Sequence, residues 1–156
     1  MGKFNKFAAV LAAVSTLAFV PQPAAAAVSA DQASKLRQLD IMLMVTGERC
    51  RTTRDDFISD YGRFSSRHLG TLNQANAQLW QQLAVRHGSG GAQRALDRLS
   101  TTMANDYRLG HPWLGCRELK MVARNLANVE GRATLEEAAD QLIARGRPSQ
   151  IAHAQP

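Results

Sequence analysis

The sequence predicts an all-α protein, a compact bundle of about five helices pinned by one disulfide and preceded by a cleaved signal peptide. Three observations predict it. Apolar residues recur at steps of three and four through most of the chain, and no stretch alternates strictly as a half-buried strand would. Ser/Thr capping patterns and Gly/Pro stops cut that periodicity into helix-length pieces. The chain carries only two cysteines, Cys50 and Cys116, so only one pairing exists.

Residues 1–27 read as the signal peptide. Lys3 and Lys6 give a positive start, Phe7–Val20 is an apolar run of 14 residues, and Pro21, Pro23 and Ala24–Ala27 close it with an Ala-x-Ala site at Ala25 and Ala27. The run is shorter than the roughly 20 residues of a membrane span. No cysteine lies near the cleavage point to take a lipid. The mature protein is expected to begin near Val28, periplasmic or secreted. Its domains are then 28–148, the helical domain, and 149–156, a flexible tail.

The first mature helix is expected over Ser29–Arg51, opened by a capping box of Ser29 and Gln32. Leu36, Leu39, Leu43, Thr46 and Cys50 form its stripe. Ile41, Met42, Met44 and Val45 widen that stripe until the helix is greasy over most of its circumference, the mark of a central helix. A second start follows at Thr53 with Asp56, and Phe57, Tyr61, Phe64, Leu72, Ala75, Leu79 and Leu83 mark one face as far as His87. Unbroken, that segment would span about 50 Å. Gly62 and Gly70 each cost about 1 kcal/mol in a helix interior, so a break is expected in the region 65–70.

Gly88-Ser89-Gly90-Gly91 is read as a flexible loop. A third helix is expected over Ala92–Arg108, with Leu96, Leu99, Met103 and Tyr107 inward. Pro112 suits the first position of a fourth, Trp113–Val129, carrying Cys116, Leu119, Val122, Ala123 and Leu126. Gly131 stops it. A last helix is expected from Thr134, capped with Glu137, with Leu135, Ala138, Leu142 and Ile143 inward and Gly146 and Pro148 as its stop.

Composition narrows the function classes. Without Lys3 and Lys6 the formal charge falls from +6 to +4, and the charges alternate in sign along the chain. Nucleic-acid binding wants a clustered basic face with interleaved aromatics, so no nucleic-acid partner is expected. No mature segment is long and apolar enough to span a membrane. Export puts Cys50 and Cys116 where disulfides persist, and their spacing suits neither a Cys-x-x-Cys redox pair nor a structural zinc site. A structural disulfide is the reading that remains, joining the end of the first helix to the start of the fourth.

Chemistry-bearing patterns are few. No two of the histidines (His68, His87, His111, His153) stand at i,i+3 or i,i+4, so no local metal pair can be drawn and no metal is expected. There is no Gly-x-Ser-x-Gly elbow, and the glycine run at 88–91 lacks the lysine of a phosphate loop, so no cofactor is expected either. Two clusters remain as candidates. Glu48, Arg49, Arg51 and Arg54, with Asp55 and Asp56, gather where one helix stops and the next starts. They could bind an anionic group through a guanidinium fork, or Glu48 could serve as a lone acid in a glycan-cleaving enzyme. Helix dipoles alone also explain every charge there. His111 and Trp113, beside Pro112 and Cys116, form the second cluster. They are either a partner-binding lip or a tryptophan packed over the disulfide.

Leu36-Arg37-Gln38-Leu39-Asp40-Ile41-Met42-Leu43-Met44-Val45-Thr46, then Arg49-Cys50-Arg51, and Gly110-His111-Pro112-Trp113-Leu114-Gly115-Cys116 together resemble a family of small exported bacterial proteins without an assigned activity. Some of its members carry the label S-adenosyl-L-homocysteine hydrolase. The resemblance spans most of the mature chain and implies export, with no functional residues to carry over. The label does not fit the chemistry. That hydrolase oxidises its substrate with a nicotinamide cofactor held by a dinucleotide-binding α/β domain, and this chain has no Gly-x-Gly-x-x-Gly after a strand. The expected function is non-enzymatic: an envelope-associated binding protein whose partner is an envelope protein or an anionic cell-wall component. A cell-wall hydrolase using Glu48 is the alternative.

Overall fold

The computed structural model describes residues 24–144, and every regular element among them is helical. Residues 1–23 of the expected signal peptide and the whole tail 149–156 lie outside the described residues, as do Gly146 and Pro148. Six helices follow in order: α1 (Ala24–Cys50), α2 (Ile58–Arg67), α3 (Leu69–His87), α4 (Ser89–Asp106), α5 (Cys116–Leu126) and α6 (Arg132–Ala144).

α1 is the axis, and it packs against every other helix. Leu36, Leu39, Leu43, Thr46 and Cys50 are all buried, and so are Ile41 and Met42; Met44 alone of the widened stripe turns out to solvent. Thr46 is tolerated in this dry seam because its hydroxyl donates to the Met42 carbonyl at 2.6 Å. Around α1 the core is completed by Phe57, Phe64, Ala75, Leu79, Leu96, Leu119, Ala123, Leu135 and Ala139. Burying a large apolar side chain stabilises by about 1.5–3 kcal/mol, so these stripes dominate the fold. Cys50 and Cys116 are bonded, with Cα atoms 5.6 Å apart, which pins the end of α1 to the start of α5.

Several helix ends differ from the sequence expectation, each for a local reason. α1 already runs through Ser29, because the preceding alanines are the best helix formers and carry the helix upstream. Thr53 does not cap α2. Its hydroxyl donates back to the Cys50 carbonyl at 2.7 Å, and Asp56 takes the capping role by accepting from the Ile58 N–H at 3.0 Å. The glycine run at 88–91 is not a loop. Gly88 makes the whole turn at φ +68, a conformation that costs glycine nothing, and Ser89, Gly90 and Gly91 form the first turn of α4. Pro112 lies in a turn rather than in a helix; α5 starts only at Cys116, where Glu118 accepts from the Gly115 N–H at 3.1 Å. Thr134 sits inside α6, donating to the Glu130 carbonyl, and Glu137 binds Gln141 instead of capping.

The long second segment breaks at His68, inside the expected region. Neither glycine makes the break. His68 leaves helical geometry, and its Nε2 reaches the Leu126 carbonyl at 2.8 Å, satisfying an orphan acceptor at the end of α5. A carbonyl can only accept, so Nε2 carries the hydrogen. The split raises the helix count from about five to six among the described residues.

Candidate functional site

The disulfide brings the two sequence-nominated clusters to one end of the bundle. Glu48, Arg49, Arg51 and Arg54 sit on the last turn of α1 and the turn after it, all exposed. His111 and Trp113 sit on the turn before α5. Arg49 spans the gap: a side chain at Gly110 would meet its Nε at 3.4 Å. That is ordinary contact distance, and it is the φ of +111 at Gly110, a conformation that other residues rarely adopt, that calls for glycine there.

Within this end the charges pair locally. Arg51 meets Glu48 at 3.2 Å and Arg54 meets Asp55 at 3.5 Å, with the two arginine side chains 65% and 90% exposed. The aromatic side is built more tightly. His111 stacks on Tyr107 with centroids 5.9 Å apart and receives the edge of Trp113 at 4.4 Å. Tyr107 is anchored in turn by Gln38 of α1, whose amide donates to the phenol oxygen at 3.2 Å. His111 is only 8% exposed, and neither ring nitrogen has a hydrogen-bond partner of good geometry. Burial pushes its pKa below the ordinary 6.5, and the Leu142 carbonyl opposes that shift only in part. Trp113 stays 40% exposed, and Leu109 beside it is a second exposed apolar side chain. This end therefore presents exposed, locally paired guanidinium groups on the α1 side of the disulfide and an exposed indole on the α5 side.

No protein-family model, curated protein or solved structure matches the chain.

Among the described residues, the two carboxylates least exposed in an ion pair, Asp60 and Asp40, each organise a polar centre outside the sequence-nominated residues. The first joins α2 to α5. Asp60 is buried, and its Oδ1 accepts from Arg63 and from Arg124 Nε, the latter at 3.4 Å. The signal for it was present in the sequence: Asp60 stands on the apolar stripe between Phe57 and Phe64, where a carboxylate has to be paired. The second joins α1 to α2 and α4. Tyr61 donates to Asp40 at 3.1 Å, while Arg37 lies 3.7 Å from Asp40 and binds Ser100. Burial, then the charge of Asp40, pushes the Tyr61 phenol up to about 12. Burial likewise raises Asp40 against the pull of Tyr61 and Arg37.

Neither centre has the layout of a catalytic pair. Asp40 and Tyr61 are spent on each other, and Asp60 on two arginines. An open depression of about 380 Å³ lies along α3, lined by Asn73, Asn76, Ala77, Trp80 and Gln81, and it presents no titratable group. Among the described residues, no cluster of three His, Cys, Asp or Glu side chains is placed to hold a metal ion. No helix among them is long and apolar enough to cross a membrane.

Proposed function

We propose that the protein is an exported, non-catalytic component of the bacterial envelope that binds an anionic cell-wall component through its disulfide end. The observation that carries this reading is that exposed Arg49, Arg51 and Arg54, flanking Cys50, are tethered through the Cys50–Cys116 bond to the turn that carries exposed Trp113. Guanidinium forks favour carboxylate and phosphate, and a half-exposed indole offers an apolar face to whatever carries them. The basic start, apolar run and Ala-x-Ala site support export, as does a disulfide at home in an oxidising compartment. The resemblance to exported bacterial proteins points the same way. The wall-hydrolase alternative has less support. A glycosidase acid sits in apolar surroundings that raise its pKa, whereas Glu48 is exposed and already paired with Arg51.

Cell fractionation of the expressed chain together with pull-down on purified cell-wall fragments tests the proposal. The expected result is a periplasmic product shortened by about 27 residues that sediments with the fragments. Arg49→Ala combined with Trp113→Ala should abolish sedimentation while leaving the helical circular dichroism spectrum intact. An uncleaved cytosolic product, or sedimentation unchanged in the double variant, would overturn it. Capture of a discrete envelope protein with no binding to fragments would favour the protein-partner version. Wall cleavage lost in Glu48→Gln would favour the hydrolase.

A further inference from the structure

We propose that Arg63 and Arg124 form a phosphate-binding clamp at the seam of α2 and α5, held in place by the buried carboxylate of Asp60. A single carboxylate needs a single guanidinium. Asp60, with its side chain 3% exposed, engages two, and both reach the same oxygen, Oδ1. Two cations are thereby fixed side by side with one positive charge left over. Arg63 and Arg124 remain 61% and 56% exposed, so most of their ten N–H donors face water. An oxyanion placed across them can take two forks at once and relieve the repulsion between like charges. Because Asp60 is shielded from solvent, it orients the pair without competing at the surface.

The surroundings extend the same chemistry. Arg67, one turn beyond Arg63, holds the Val129 carbonyl and Glu130 and so fixes the end of α2 to the chain leaving α5. On α5, Arg117 and Met121 share the outward stripe with Arg124, and both are exposed. The seam therefore carries Arg63, Arg67 and Arg124 against Asp60 and Glu130, and α5 adds exposed Arg117 and Met121 on the stripe it shares with Arg124. That combination accepts a phosphate group free in solution or one presented by a lipid headgroup with apolar chain beneath it.

Side-chain NMR of the arginine Nε–H groups in the full chain, titrated with inorganic phosphate against chloride at matched ionic strength, tests the clamp. Arg63 and Arg124 signals should shift together and saturably with phosphate and not with chloride. Arg63→Lys and Arg124→Lys keep the charge but lose the fork, and each should weaken binding about tenfold, the worth of one charge-assisted hydrogen bond. Arg94→Lys on α4, exposed and in neither arginine cluster, should leave the Arg63 and Arg124 shifts unchanged. Co-sedimentation with phosphatidylglycerol vesicles, competed by phosphate and absent with phosphatidylcholine, would identify the headgroup as the source. Phosphate binding without vesicle binding would identify a soluble phosphate compound. No saturable shift of either arginine overturns the proposal, and so does a shift that survives both lysine variants. The wild-type titration alone decides the matter if either variant fails to fold.

Discussion

Two arginine clusters among the described residues differ in what organises them. At the disulfide end, Arg51 and Arg54, 65% and 90% exposed, pair with Glu48 and Asp55, three residues and one residue away. At the seam of α2 and α5, Arg63 and Arg124 come from distant parts of the chain and meet on a carboxylate that water does not reach. Exposed local pairs gain about 0–1 kcal/mol and exchange partners freely. A buried charge has no such freedom, since losing its partners strands it. So the first cluster is positioned by a covalent bond nearby and the second by electrostatic necessity. Density of charge along a sequence is a poor guide to organised charge in space.

The largest expected effect comes from the bond that positions the first cluster. Cys50→Ser with Cys116→Ser releases a loop closed across 66 residues, and the chain-entropy model assigns such a loop about 4 kcal/mol. The double variant is expected to melt well below the wild type. The end of α1 should part from the turn at 107–115 before the α2–α5 seam loosens, which hydrogen exchange at Arg49–Thr53 and at Asp60–Arg67 would resolve. Simultaneous loss of protection in both segments would show that the disulfide holds the seam as well, and the contrast between the two clusters would dissolve.

Asp60→Ala against Glu48→Ala addresses the comparison directly. Asp60 gives up two hydrogen bonds to charged donors, so its loss should cost about 1.5–3 kcal/mol, the arginines recovering part of the difference by hydration. Glu48 gives up one exposed pair three residues away, worth about 0.5 kcal/mol or less. Urea unfolding of the two variants side by side is the measurement. Equal costs would mean that burial does not distinguish the clusters after all.

Much of the fold was legible because each helix writes its own apolar stripe. Leu36, Leu39 and Leu43 announce α1, and the extra Ile41 and Met42 announce that it is central. The disulfide was legible because two cysteines leave one pairing. What escaped is what depends on a neighbour in space. Thr53 carries a capping signature, yet the turn after Cys50 claims its hydroxyl and passes the role to Asp56. Ser89–Gly91 read as a loop from composition, but a single positive-φ residue at Gly88 suffices to reverse the chain. Asp60 stands on an apolar stripe that demands a partner, but the sequence does not say which one. Its second partner, Arg124, lies 64 positions away, and no periodicity says that α5 packs beside α2. At the disulfide end the residues were legible separately, and their meeting followed from the bond.

The smallest expected effect concerns pH and the aromatic half of the disulfide end. His111 is held neutral by burial, between Tyr107 and Trp113, with Arg49 of α1 across Gly110 and the Leu142 carbonyl of α6 nearby. Asp106 stands behind Tyr107, and no carboxylate pairs with the imidazole itself. Its folded pKa lies below the ordinary 6.5, so above that value folded and unfolded chains are both neutral there and the full stability is present. As the pH falls below 6.5, the unfolded chain takes up a proton that the folded chain refuses, and stability is lost until the folded pKa is passed. Asp40 acts in the opposite sense and lower on the scale, because its raised pKa makes the folded chain the better proton acceptor near the ordinary carboxylate value of 3.8. The two are separated by a single variant. His111→Phe keeps a ring against Tyr107 and Trp113 while removing the titration, so the decline in melting temperature below pH 6.5 should flatten while behaviour near pH 4 stays as it was. An unchanged decline in the variant would place the acid sensitivity elsewhere in the chain and leave the turn at 107–115 with no part in it.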